Sequence, residues 1–289
     1  MAEKPLKILT QPNLNDARMV LGFSGWMDGG EVSTGTIEYL VARLKAREIG
    51  RIDPAGFYIY GIPGPMEALA QLRPHTRIED GLITEFQAPT NTFFCSEEHN
   101  LVLLAGSEPN LRWPRFADCI FETASRCNVS TIYFIGSVAG LAPHSREPRV
   151  FSSVSEASLK PALEQYGLRF SNYEGPASIS TYMTQRSTSE GKKMATLVAE
   201  VPAYVQAKNY RCIEAVTKRL AAILDLQITL DDLRAKGDRL ERRLNEIIKS
   251  RPELAERIGQ LEADYDHEVF DSQMGDLKDW LEQQGIRLD

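Results

Sequence analysis

Apolar residues along this chain fall into short continuous runs, each broken by small or polar residues and followed by a stretch with helical spacing. The first run, residues 19–23, predicts a buried strand. It gives way to a turn holding Gly25, Asp28, Gly29 and Gly30, after which Ile37, Leu40, Val41 and Leu44 recur at i, i+3, i+4 and i+7. That spacing predicts a helix with one apolar stripe over residues 32–48. Residues 57–60 read as a second short strand, stopped by Gly61-Ile62-Pro63-Gly64-Pro65, and the alternation over 82–86 reads as an exposed or edge strand. Residues 101–105 form another run buried on both faces; Gly106-Ser107-Glu108-Pro109-Asn110 follows, then a helix with Phe116, Ile120, Phe121 and Ala124 inward. Residues 131–135 repeat the arrangement and end in Gly136-Ser137.

Further on, residues 142–149 form a polar loop pinned by prolines. A strand over 150–154, a helix over 156–166 and a strand over 195–201, closed by Pro202, continue the alternation. Val205, Cys212, Ile213, Val216, Leu220 and Ile223 mark one long helix covering the sheet. From Leu230 the pattern becomes a heptad seam through Leu233, Gly237, Leu240, Leu244 and Ile247, then Leu254, Ile258, Leu261 and Tyr265. Pro252 interrupts it in a capping-box context, which predicts a helical hairpin, with Trp280 and Leu281 docking a last short helix. The alternation defines an α/β fold with a mainly parallel sheet, divided into a body over 1–228 and a helical extension over 229–289.

Charge sharpens that division. The formal net charge is -7, and from residue 231 onward 10 Lys+Arg stand against 16 Asp+Glu, leaving the body almost neutral. An acidic tail on a neutral body argues against nucleic acid or an anionic membrane as partner. No run reaches the ~18 apolar residues of a membrane span, and the first residues lack a signal-peptide pattern, so the expected location is cytoplasmic. The four cysteines have no metal-ligand spacing, and Cys119, Cys127 and Cys212 sit in helix-like apolar patterns as core thiols do. Neither metal nor cofactor is expected.

Three buried strands with small, polar exits imply one shared crevice at their C-terminal ends. The glycine turn is either a plain structural turn or a ligand loop, since its spacing matches neither dinucleotide nor P-loop fingerprints. Asp28 and Glu108 both follow buried strands and could divide acid and base roles, although each also stands where a carboxylate caps a helix. His144, with Arg146 and Arg149 beside it, has the composition of a base or an anion contact; the plainer reading is a loop pinned by arginine hydrogen bonds. The candidate ligand set is therefore Gly25, Asp28, Gly29, Gly30, Glu108, His144, Arg146 and Arg149, with Asp28, Glu108 and His144 the catalytic candidates.

Five stretches, GFSGWMDGGEVS from Gly22, GSEPNLRW from Gly106, APHSREPRV from Ala142, YEGPASI from Tyr173 and VPAYVQAKNY from Val201, resemble the proteasome assembly chaperone 2 family in the same order. The resemblance covers residues 15–225. It implies a three-layer α/β/α sheet similar to purine nucleoside phosphorylases, self-association with a trimer favoured, a protein client, and no established catalytic activity. Relatives dock through a C-terminal hydrophobic-Tyr-any motif; here Leu288 stands in the tyrosine's place. Two readings follow: a non-enzymatic assembly or scaffolding protein, or a small-molecule protein of nucleoside phosphorylase or hydrolase type using Asp28, Glu108, His144 and Arg146.

Overall fold

A computed structural model describes residues 4–70 and 72–283, with Ala68, Leu69 and residues 271–283 described as backbone alone. In chain order the strands are β1 (Leu6–Ile8), β2 (Ala17–Ser24), β3 (Arg47–Ile52), β4 (His75–Glu79), β5 (Leu82–Gln87), β6 (Thr92–Ser96), β7 (Leu101–Ser107), β8 (Val129–Gly140), β9 (Val150–Ser152), β10 (Arg169–Phe170) and β11 (Lys193–Pro202). The helices are α1 (Val32–Arg43), α2 (Met66–Ala70), α3 (Trp113–Arg126), α4 (Lys160–Glu164), α5 (Ile179–Ser187), α6 (Tyr210–Ile223), α7 (Asp231–Lys249) and α8 (Pro252–Gln283).

Nine strands form one sheet in the order β1-β3-β6-β7-β2-β8-β11-β9-β10. Its centre, β7-β2-β8-β11, is parallel throughout, as continuous apolar runs require. The flanks are antiparallel where β3 meets β6, β6 meets β7 and β9 meets β11, so the sheet is mixed outside its parallel core. Alternation along β2 sends Met19, Leu21 and Phe23 to one face, where α3 and α5 cover them with Phe116, Ile120, Ile179 and Met183. Val20 points to the other face, against Ile37 and Leu40 of α1 and Ile213 and Val216 of α6. The result is three layers, α/β/α. Gly22 lies where α1 crosses β2: a Cβ there would stand 2.4 Å from Ile37 Cγ1 and 2.7 Å from the Ser33 carbonyl oxygen. The buried Ser33 hydroxyl accepts from Phe23 N at 3.0 Å and donates to the Ile135 carbonyl at 2.6 Å, tying the ends of β2 and β8 to the helix start.

Several elements differ from their sequence-based prediction. The helix expected to reach residue 48 ends at Arg43; Lys45 turns the chain at φ 47° and Arg47–Ile52 becomes β3. Residues 57–60 are not a strand. Phe57 is an anchor, 1% exposed, whose carbonyl accepts from Asn110 N and Leu111 N at 2.9 and 3.0 Å. The run at 131–135 is the middle of a longer β8, and the predicted helix over 156–166 is a 3-10 turn followed by the short α4. The helix expected from Val205 begins at Tyr210, capped by the Asn209 side chain accepting from Cys212 N at 3.0 Å. The exposed or edge strand expected over 82–86 is present as β5, which pairs with β4 in a separate two-stranded hairpin, with Ile78, Leu82, Ile83 and Phe86 exposed.

The hairpin predicted around Pro252 is present. In α7 the inward positions are Leu233 and Gly237, with Leu240, Leu244 and Ile248 half-buried, while Ile247 is exposed. The seam thus shifts by one residue at its end. Helix α8 runs unbroken through residues 280 and 281, so no separate last helix forms, and residues 284–289, including Leu288, lie outside the described residues. No helix among the described residues is long and apolar enough to cross a membrane.

Candidate functional site

The exits of β7, β2 and β8 lie side by side, because all three strands run parallel and pair directly. The glycine turn, residues 106–110 and the segment that leads to His144 therefore share one sheet edge. Backbone bonds knit them: Glu108 N donates to Ser24 O at 2.9 Å, Ser137 N to Met27 O at 2.9 Å, and the Ser137 hydroxyl to Gly29 O at 2.7 Å. Gly30 adopts φ 61°, which glycine tolerates without cost, and its carbonyl accepts from Asn209 N at 2.7 Å. A Cβ on Gly25 would meet Glu108 Cβ at 3.1 Å, so this glycine lets the acid lie close under the turn.

Each candidate acid has a local bonding partner. Asp28 Oδ1 accepts from Thr34 N at 3.1 Å and Oδ2 from the Thr34 hydroxyl at 2.8 Å, at the first turn of α1. Desolvation lifts its carboxyl to about 6 against the pull of those two bonds. Glu108 accepts from Trp26 N at 3.0 Å through Oε2 and from Ile179 N at 3.3 Å through Oε1. It therefore joins the β2 exit, the β7 exit and the start of α5.

His144 is 7% exposed and sits under the extension. The Tyr204 hydroxyl accepts from His144 N at 2.9 Å and lies 2.7 Å from Nδ1. Nε2 lies 3.1 Å from Asn245 Oδ1 of α7, so both ring nitrogens have a partner. Arg146 makes a two-pronged ion pair with Asp266 of α8, both N–O distances 2.8 Å. Arg149 pairs with Glu200 of β11 at 2.8 Å and with Glu268 at 2.5 Å, and its guanidinium lies 4.2 Å from the Tyr265 ring centre. Ser145 donates to Glu262, and Tyr265, 4% exposed, donates to the Glu147 carbonyl at 2.8 Å.

The structure thus brings His144, Arg146 and Arg149 together under the extension, while Asp28 and Glu108 are bonded to other partners. Two cavities flank His144, one against Arg146, Asn209 and Cys212 and one against Asn209, Gly237 and Leu244; neither is lined by Asp28 or Glu108. At about 10 and 20 Å³ they hold a water molecule or so, far below a nucleoside. Burial pushes the thiols of Cys95 and Cys212 up to about 12 and that of Cys119 to about 11, which leaves them as packing residues. Among the described residues no group of three His, Cys, Asp or Glu side chains is placed to hold a metal ion. The acids of α8 that hold this loop, and Tyr204 and Asn245 that hold His144, were not marked as site residues by the sequence. Their signal was the unequal charge: an acidic extension and a loop with two arginines in one chain.

The chain is a parallel-centred α/β/α sheet whose strand exits are knitted by backbone and carboxylate bonds. The PAC2 family model matches residues 22–248, and the chain belongs to that family. Among solved structures it is similar to a proteasome-assembly chaperone homologue of Mycobacterium tuberculosis, with 30% identity and a TM-score of 0.71 over 83% of this chain and 98% of that one. A Mycobacterium tuberculosis protein of unknown function aligns at 20% identity and a TM-score of 0.80, covering 93% of each chain. PbaB of Pyrococcus furiosus, an archaeal proteasome activator, aligns at 16% and 0.66 over 86% of this chain and 99% of that one; the last two likenesses concern the fold. No curated protein matches the chain.

Proposed function

We propose that this protein is an assembly-chaperone-like scaffold that binds a protein client and acts as a homo-oligomer. The observation that carries this reading is the apolar surface on neighbouring strand exits. Trp26 after β2 is 70% exposed, Leu111 after β7 is 41% exposed, and Val138 and Leu141 at and after the end of β8 are 40% and 76% exposed. Exposed apolar side chains gathered at one edge mark protein contacts more often than chemistry. The exposed hairpin of β4 and β5 adds to it, since a two-stranded sheet by itself is marginal in water and gains from a cover. The bonding of Asp28 and Glu108 to backbone amides supports the same conclusion, because both acids serve helix starts. Membership of a family that includes a proteasome-assembly chaperone homologue makes proteasome subunits the first client to try.

The test mixes the purified chain with proteasome α-subunits and follows ring formation by native mass spectrometry. Faster ring assembly, lost in a Trp26→Ala, Leu141→Ala double variant that keeps its melting temperature, is the expected result. Unchanged assembly kinetics with no complex between the two rejects the proteasome as client.

A further inference from the structure

Helix α8 lies outside the span matched by the family model, while the loop it covers lies within that span. Most of its grip is polar and close to water. Arg146, whose side chain is 36% exposed, faces Asp266 at 52% and Glu262 at 28%; Glu268 is 65% exposed. Between residues 252 and 270 just two side chains are buried, Ile258 and Tyr265. Ion pairs at such exposure contribute little individually and weaken with salt, so α8 belongs to the weakly held part of the molecule. The surface beneath it does not depend on α8 to exist. Arg149 is held from behind by Glu200, and Tyr204 fixes both the backbone and the ring of His144. The Arg146 guanidinium is bonded to α8 acids and to the adjacent Ser145 hydroxyl. Without α8 this loop would present a guanidinium seeking a carboxylate pair, a hydroxyl donor at Ser145, and a backbone carbonyl at Glu147.

We propose that the loop from Ser145 to Arg149 is a docking surface for an acidic helix of a partner protein, and that α8 occupies it in cis as a displaceable cover. The occupant's chemistry is read from α8 itself. Glu262, Tyr265 and Asp266 stand at i, i+3 and i+4, one helical face that places an aromatic ring against Arg149 between two carboxylates that meet Ser145 and Arg146. A partner helix carrying that acid-x-x-aromatic-acid face would find the charge pattern it needs. The inference stands on these contacts and goes beyond the assembly reading, so failure of one leaves the other in place.

The experiment uses the full chain and, as probe, a labelled synthetic peptide of residues 252–270. In the Tyr265→Ala, Asp266→Arg variant the cover is loosened while the loop is intact, and this variant is expected to bind the peptide at least about tenfold more tightly than the unaltered chain. Adding Arg146→Ala should abolish that gain, and raising salt should weaken it. Equal binding by the loosened and unaltered chains, or a gain that survives Arg146→Ala, overturns the proposal. So does light scattering that shows fewer subunits in the loosened variant than in the unaltered chain, since the loop's occupant would then be a second copy's α8. If the loosened variant does not fold, hydrogen exchange on the unaltered chain decides: residues 142–149 and 258–268 should open together, faster at high salt and well before the central strands. Opening of both segments only with global unfolding overturns the proposal.

Discussion

Two residues at the strand exits show how one position can be set by contact and another by charge. Gly22 is held by contact: a methyl group there would sit within 2.4 Å of Ile37 and 2.7 Å of a backbone carbonyl on α1. Gly22→Ala should therefore destabilise the chain by about 2–3 kcal/mol, an overpacking cost, seen as a lower urea midpoint with an unchanged slope. Asp28 is set by charge. Its carboxyl is raised from 3.8 to about 6 by desolvation, so between those values the folded state holds a proton that the unfolded state has released. Stability from this group is accordingly greatest below pH 4, falls as pH rises through 6, and is at its lowest above that. Asparagine keeps an acceptor for Thr34 N and carries no charge to desolvate. Asp28→Asn should raise stability at pH 7.5 by about 1–2 kcal/mol, less than the full shift because the helix start favours an anion, and the gain should vanish near pH 4. Melting curves across that range check it; a gain that persists at pH 4 would refute the assignment to desolvation.

At the scale of elements, Glu108 is the joint between the β2 turn, the β7 exit and α5. Its removal leaves two backbone donors, Trp26 N and Ile179 N, without their acceptor. Glu108→Ala should cost about 1–3 kcal/mol, and Glu108→Gln, which keeps an acceptor, clearly less. Hydrogen exchange at the start of α5 should rise in the alanine variant and not in the glutamine variant; equal exchange in both would show that the bond does not hold the helix. The extension tells a different story from the one its sequence suggests. The sequence projects the acids Glu262, Asp264, Asp266 and Glu268 toward solvent or a basic client. Asp264, Asp266 and Glu268 are exposed, but Glu262, Asp266 and Glu268 also reach the body's own Ser145, Arg146 and Arg149, and Asp264 accepts from Gln260 at 2.7 Å.

At the scale of the molecule, α7 and α8 are not equal parts of one appendage. Leu233 and Gly237 of α7 are buried, the Tyr39 hydroxyl of α1 donates to Thr229 O at 2.6 Å and meets Asp232, and Arg43 pairs with Asp232. The family match likewise runs to residue 248, through nearly all of α7. We expect the body from residue 1 to 228 to fold without the extension, at reduced stability. Truncation after Ile228 should lower the melting temperature by several degrees, given ~2 kcal/mol for a buried leucine and about 2–4 °C per kcal/mol at this size. Truncation after Lys249 should lower it less. Equal loss in both would show that α8, not α7, is the main brace. Light scattering of the two truncations beside the full chain measures subunit number and tests the proposed self-association.

The sequence by itself determined the parallel centre of the sheet, because runs such as residues 19–23 and 101–105 have no polar face and must be covered on both sides. It also determined the turn at Pro252, where the missing amide hydrogen and fixed φ favour a helix start, and five ordered motifs carried the family. The flanking strands were illegible for the opposite reason. Residues 47–52 and 92–96 alternate weakly, and their strand state comes from pairing with each other and with β7, a long-range contact that no local pattern encodes. Phe57 looked like a strand residue because burial, not backbone extension, is what an apolar run reports. The candidate site divides in the same way. That Asp28, Glu108, His144, Arg146 and Arg149 stand near strand exits followed from chain order. Which of them meet was decided by tertiary packing, because a carboxylate takes the nearest donor: Thr34 for Asp28, Trp26 and Ile179 for Glu108. The arginines, in turn, found their acids on a helix more than a hundred residues away.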